Sequence, residues 1–157
     1  LLKLNYNVIA YKRTKKKISN LQIYTGKNIK NFIKKSDIII SILPSTHHTN
    51  NLIDRNFLKL MKAKSCLISI GRGNAINEND LIKHLNKNKN FYAYLDVLKN
   101  EPLKKSSKFW LMPNVTITPH VAGVTEIQSA VIHMFKKYKK INSGYRINSD
   151  VKNNKEY

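Results

Sequence analysis

The chain has 157 residues, of which 29 are Lys or Arg and 9 are Asp or Glu, giving a formal net charge of +20. Its 41% hydrophobic and 9% aromatic content is enough for a core, which excludes a disordered polybasic tail. The longest apolar run, Ile38–Ile40 with its neighbours as far as Leu43, is far short of the ~20 residues that span a bilayer, and a single cysteine, Cys66, excludes an internal disulfide framework.

Hydrophobic period alternates between strand-like and helix-like along the chain, the pattern of α/β units. Val8 to Tyr11 reads as a short strand that runs into the basic segment Lys12–Lys17. Asn28 to Lys35 predicts a short helix with Ile29, Phe32 and Ile33 on one face. Asp37 to Leu43 is a continuous apolar strand, a pattern that predicts burial on both faces of a parallel sheet. Asp54 is placed to cap a helix carrying Phe57, Leu58 and Met61. Ser65 to Ile70 is a second buried strand, ended by Gly71-Arg72-Gly73. Asn77, with Asp80 three residues on, predicts a helix start before Leu81, Ile82 and Leu85. Phe91–Val97 and Val115–Thr118 complete the strands, the latter stopped by Pro119. In Glu126–Ile141, the residues Ile127, Ala130, Val131, Met134, Phe135, Tyr138 and Ile141 recur at helical spacing, which predicts a core-facing stripe. The tail, Asn142 to Tyr157, is polar and has no period.

The charge invites a nucleic-acid partner, because counterion release favours a chain that neutralises phosphates. A plainer source is composition: Lys, Asn and Ile, the residues an AT-rich genome over-supplies, fill 64 of the 157 positions. The runs Lys12–Lys17 and Lys136–Lys140 carry few interleaved aromatics and no nucleic-acid motif, so a basic nucleic-acid-binding domain is the weaker reading.

In a parallel α/β sheet, ligands bind beyond the carboxyl ends of the strands. The unusual polar residues cluster there: Arg72 between two glycines, Asp96 closing the Phe91–Val97 strand with Glu101 five residues later, and His120 after Pro119. Only 4 residues are Arg, so this placement is not a by-product of lysine bias. Singly, Arg72 reads equally as a turn residue, Glu101 as a solvated loop acid and His120 as a buried histidine. Together they make a coherent set: a fixed cation, a proton donor and an acid beside the donor. Cys66 lies in a strand, where burial would make it inert. His47-His48 and His84 lack acid or Cys neighbours at metal-ligand spacing, so no metal site is expected, and Trp110 reads as packing.

The stretch from Asp37 to Thr125 resembles the cofactor domain of the D-isomer-specific 2-hydroxyacid dehydrogenases, closest to the glyoxylate/hydroxypyruvate reductase A branch. The resemblance rests on Ile42-Leu43-Pro44-Ser45-Thr46 with Thr49, Leu67-Ile68-Ser69-Ile70-Gly71-Arg72-Gly73, and Leu95-Asp96-Val97. It continues in Glu101-Pro102-Leu103, Phe109-Trp110, Pro113-Asn114-Val115 and Thr118-Pro119-His120-Val121-Ala122. It implies an α/β, doubly wound (Rossmann-like) parallel sheet and NAD(P)H-dependent reduction of small 2-oxo acids. It implies that Arg72, Glu101 and His120 are catalytic: His120 as proton donor, Glu101 as its partner keeping it protonated, and Arg72 as substrate anchor. Leu43, Pro44, Ile70 and Gly71 would line the cofactor, and Asp96 would meet the nicotinamide carboxamide.

A carboxylate after the second strand of such a fold grips the ribose of NAD, whereas an Arg accommodates the 2′-phosphate of NADP. After Tyr11 the chain offers Lys12, Arg13, Thr14 and Lys15 and no acid, which favours NADP over NAD. The five glycines cannot make the family's G-x-G-x-x-G fingerprint. The chain therefore reads as a sheet lacking its first strand and Gly-rich loop, residues 1–124 being a truncated dinucleotide-binding domain. Residues 125–157 would be a helix and tail that pack back on an absent substrate domain. The expectation is the C-terminal part of a longer cytoplasmic, homodimeric reductase, inactive alone, with no nucleic-acid or membrane partner; the alternative is a non-catalytic remnant or interaction module of the same fold.

Overall fold

Short runs of β-branched and aromatic residues, separated by helical segments, build two parallel sheets. The computed structural model describes residues 1–13, 18–123 and 126–144. Lys15–Lys17, the 124/125 domain boundary and the tail from residue 145 lie outside the described residues. β1 (Ile9–Tyr11) pairs in parallel with β2 (Gln22–Tyr24), Ile9 opposite Gln22 and Tyr11 opposite Tyr24. α1 (Ile29–Lys35) then leads to the main sheet. There β3 (Ile38–Ser41), β4 (Cys66–Ser69), β5 (Tyr92–Leu95) and β6 (Val115–Ile117) lie in that order, every neighbouring pair parallel. α2 (Arg55–Leu60) connects β3 to β4, α3 (Glu78–Lys87) connects β4 to β5, and α4 (Ile127–Asn142) follows β6. The class is α/β with a parallel sheet, as the alternating periods predict. β2 has no counterpart in the sequence reading.

The core lies on one face of the main sheet. Ile33 of α1, Phe57 and Leu58 of α2, and Leu81 and Leu85 of α3 meet Ile39, Leu67, Ala93 and Leu95 from the strands. Asp54 caps α2 as expected: its Oδ1 accepts from the Phe57 N–H at 2.9 Å, a contact of about 1 kcal/mol. Asn77 caps α3 by accepting from the Asp80 N–H at 3.2 Å. Asp80 does not return the bond as in a capping box; its Oδ2 accepts from the Arg55 N–H at 3.1 Å and so ties the starts of α2 and α3 together.

Two expectations of burial are corrected. β3 is buried on one face only: Ile38 is 53% exposed and Ile42, just beyond the strand, 71%, because α1, α2 and α3 all cover the opposite face. Tyr92 and Tyr94 of β5 are exposed on their strand's alternate positions in the same way. The apolar stripe of α4 is not core either: Ile127, Val131, Met134, Phe135, Tyr138 and Ile141 are exposed, and no residue of the helix is buried. Trp110 is likewise more than half exposed, its Nε1 donating to the Lys104 carbonyl at 3.1 Å. Among the described residues no helix is long and apolar enough to cross a membrane.

His84, in the last turn of α3, packs edge-on against Phe91 with ring centroids 4.7 Å apart, and its Nε2 is buried without a partner. Burial holds its pKa below the usual 6.5. The fold therefore favours the neutral ring, while the unfolded chain takes up the proton near pH ~6.5. This contribution to stability is fully present above that pH and is lost as pH falls from it through the lower folded value. The expected result is a thermal midpoint that declines on acidification below about pH 6.5, and a shallower decline for His84→Leu in the same melts. Equal slopes for the two proteins would contradict it.

Candidate active site

The loops leaving the carboxyl ends of all four main strands meet in one cleft of about 290 Å³. Ser45 comes from the loop after β3, Arg72, Gly73 and Asn74 from that after β4, Leu98, Lys99 and Glu101 from that after β5, and His120 from that after β6. Backbone approach holds the loops together. A Cβ on Gly71 would sit 2.5 Å from the Leu43 carbonyl oxygen, and one on Gly73 would sit 2.0 Å from the Leu98 carbonyl carbon. Both glycines are thus required by contact with a neighbouring loop, and the arrangement fixes Arg72 between them.

His120 Nδ1 lies 2.8 Å from Glu101 Oε2. Glu101 is itself fixed, its Oε1 accepting from the Leu98 N–H at 2.8 Å. The bond to His120, followed by that to Leu98, holds the Glu101 carboxyl below the usual carboxylate range, so it is ionised at neutral pH. His120 has φ 55°, in the left-handed region that non-glycine residues seldom occupy. Its N–H donates to the Thr118 carbonyl at 3.0 Å, closing a three-residue turn centred on Pro119. Arg72 is exposed at the cleft, and its Nη1 donates to the Gly71 carbonyl at 2.9 Å.

Asp96 is buried one residue beyond β5. Its Oδ1 accepts from Thr118 Oγ1 at 2.5 Å and from the Val121 N–H at 2.9 Å, and its Oδ2 accepts from the Ala122 N–H at 2.9 Å. The Thr118 hydroxyl, then the Ala122 and Val121 amides, hold its pKa below the ordinary value. Leu43 and Pro44 are half-buried beside Gly71, and Ile70, partly exposed, donates its N–H to the Ser41 carbonyl at 3.0 Å. The loop after β3 is braced by a hydroxyl pair: Thr46 Oγ1 donates to Thr49 Oγ1 at 2.9 Å, and Thr49 Oγ1 donates to the Pro44 carbonyl at 2.6 Å. Arg13 lies two residues past the end of β1 and is exposed.

The cleft also holds residues that the sequence reading passes over. Asn74 Nδ2 donates to Ser45 Oγ at 2.8 Å across the mouth, and Lys99 of the lining is braced from outside it, its N–H donating to Glu78 Oε1 at 2.8 Å. Asn74 stands two positions after Arg72 and Glu78 opens α3, so their nearness in sequence to Arg72 is the signal available. A larger cavity of about 540 Å³ lies between α2 and α3, lined by Arg55, Lys59, Lys83 and Lys87. It shares no residue with the Arg72–Glu101–His120 set. Among the described residues no cluster of His, Cys, Asp and Glu is arranged to hold a metal ion. Cys66 is only half-buried, and burial pushes its thiol pKa up.

The family described as "D-isomer specific 2-hydroxyacid dehydrogenase, NAD binding domain" matches residues 1–122. The chain belongs to this family. Members of the family are oxidoreductases, and the matched span contains Arg72, Glu101 and His120. The glyoxylate/hydroxypyruvate reductase A of Photorhabdus laumondii is 32% identical over 145 residues, 92% of this chain and 46% of that protein. The chain thus spans about half the length of the curated relatives it matches. A D-isomer-specific 2-hydroxyacid dehydrogenase from Xanthobacter autotrophicus, solved with NADPH and MES, superposes with a TM-score of 0.92 at 27% identity, covering 99% of this chain and 64% of that one. The NADPH-dependent glyoxylate/hydroxypyruvate reductase of Sinorhizobium meliloti, solved with NADP and sulfate, gives 0.91 at 26% identity, covering 99% and 51%.

Proposed function

We propose that the chain is the dinucleotide-domain part of an NADPH-dependent reductase that converts small 2-oxo acids, glyoxylate and hydroxypyruvate among them, to 2-hydroxy acids. The observation that carries this reading is the 2.8 Å His120–Glu101 pair in a cleft shared with Arg72. A bound nicotinamide supplies the hydride. With Nδ1 engaged by ionised Glu101, His120 presents Nε2 to the substrate carbonyl oxygen and gives it a proton. Arg72 grips the substrate carboxylate, for which a planar guanidinium fork is better suited than an ammonium.

The cofactor fits the residues at hand. The contact of Gly71 with Leu43 makes a wall without side chains, and Leu43, Pro44 and Ile70 give it an apolar lining for the nicotinamide. Three donors occupy Asp96, which leaves one acceptor position on Oδ2 for the carboxamide. Arg13 takes the 2′-phosphate of NADP, with NAD as the poorer alternative. Residues 1–124 are then the dinucleotide-binding portion, and the exposed apolar stripe of α4 packs on a substrate domain. The whole protein acts as a cytoplasmic homodimer on small-molecule substrates, without nucleic acid or membrane.

The reading is tested by assaying the full-length protein for glyoxylate-dependent oxidation of NADPH and NADH. The expected result is turnover with a preference for NADPH, and Arg13→Glu is expected to lower that preference about tenfold or more through like-charge repulsion with the phosphate. No turnover with either cofactor would sink the reading in favour of a non-catalytic remnant, and an unchanged preference would remove Arg13 from the phosphate site.

A further inference from the structure

We infer that Thr118 is a positioning residue for His120, acting through Asp96. The inference rests on the reductase reading above. His120 is held in the left-handed region at φ 55°, a conformation that persists only where the surroundings enforce it. Asp96 does the enforcing: it takes the Thr118 hydroxyl on one side of His120 in the chain and the Val121 and Ala122 amides on the other. The Thr118 N–H donates to the Leu95 carbonyl at 3.1 Å, so the backbone of Thr118 is anchored to the main sheet. Its hydroxyl is therefore the link between that anchor and the carboxylate. Without it, Oδ1 keeps only the Val121 amide among the described hydrogen bonds, and the carboxylate that the Val121–Ala122 turn hangs from is tied to the sheet through the Asp96 backbone, whose N–H donates to the Ser69 carbonyl at 2.9 Å. His120 would then lose its alignment with Glu101, although neither residue of the pair has changed.

A purely structural role for Thr118 would lie in its branched side chain. Thr118 is exposed, so valine, which keeps the shape and removes the hydroxyl, leaves the core untouched. The experiment is steady-state kinetics of the full-length protein with glyoxylate and NADPH for Thr118→Val, Thr118→Ala and Thr118→Ser. The expected result is a kcat reduced about 10- to 100-fold for valine and alanine, a KM for NADPH that rises by less, since Asp96 also meets the carboxamide, and serine close to wild type. Should the valine variant fail to fold, the alanine variant makes the same test. A valine or alanine variant with full kcat would overturn the inference, as would a serine variant as damaged as the valine one. Inactive wild-type protein removes the reductase reading and the inference with it, whereas active wild type with active hydroxyl-less variants removes the inference alone.

Discussion

Replacing His120 with alanine in the full-length protein is expected to lower kcat about 10²- to 10⁴-fold, the range for losing a positioned general acid. The size follows from what the cleft lacks once the imidazole is gone. Glu101 still accepts from the Leu98 N–H and, as a carboxylate, has no proton to give at neutral pH, and the Arg72 guanidinium is a poor acid. Lys99 also lines the cleft, but its backbone N–H is fixed to Glu78, and no contact among the described residues holds its side chain at the His120 position. Binding of NADPH, measured by fluorescence titration, should be unaffected, because His120 is assigned to the substrate carbonyl. A variant with wild-type kcat would show that the proton comes from elsewhere.

The second large effect is structural. Gly73→Ala places a methyl 2.0 Å from the Leu98 carbonyl carbon and 2.1 Å from its oxygen, both backbone atoms that cannot rotate away. Overpacking of this kind costs ~1–3 kcal/mol in side-chain cores and more where backbone must shift. Leu98 donates its N–H to Glu101, so the displaced loop carries the partner of His120 with it. The expected outcome is a lowered thermal midpoint together with a fall in kcat. An alanine variant that melts and turns over like wild type would mean that the two loops are further apart than this packing requires.

Local features were legible in the sequence where a single residue type has one physical role. Asp54 before an apolar-periodic segment reads as a cap and is one, and Gly71-Arg72-Gly73 after a buried strand reads as a ligand loop at a carboxyl end. Arg72, Glu101 and His120 are chemically unusual residues at strand ends in a lysine-rich background, and the structure brings the three to one cleft. What the residues could not reveal was the environment supplied from a distance. Ile38 and Ile40 are as apolar as Ile39, and only the placement of α1, α2 and α3 on one side decides which of them is buried. α4 has the period of a core helix but meets no core among the described residues. Asp96 and Thr118 are 22 positions apart, so their bond depends on strand order, which periodicity does not encode. Asp80 shows the same limit: its spacing from Asn77 suggests a reciprocal cap, and tertiary contact sends its carboxylate to Arg55 instead.

On the proposed mechanism His120 gives a proton to a 2-oxo acid as hydride arrives, so cofactor and product must turn over together and with one handedness. The full-length protein is mixed with NADPH and hydroxypyruvate, and cofactor oxidation and the product are followed together, the product by chiral chromatography. The expected result is one glycerate formed per NADPH consumed, as the D isomer. Glycerate of the opposite hand, or no oxidation of NADPH above the rate without protein, would contradict it.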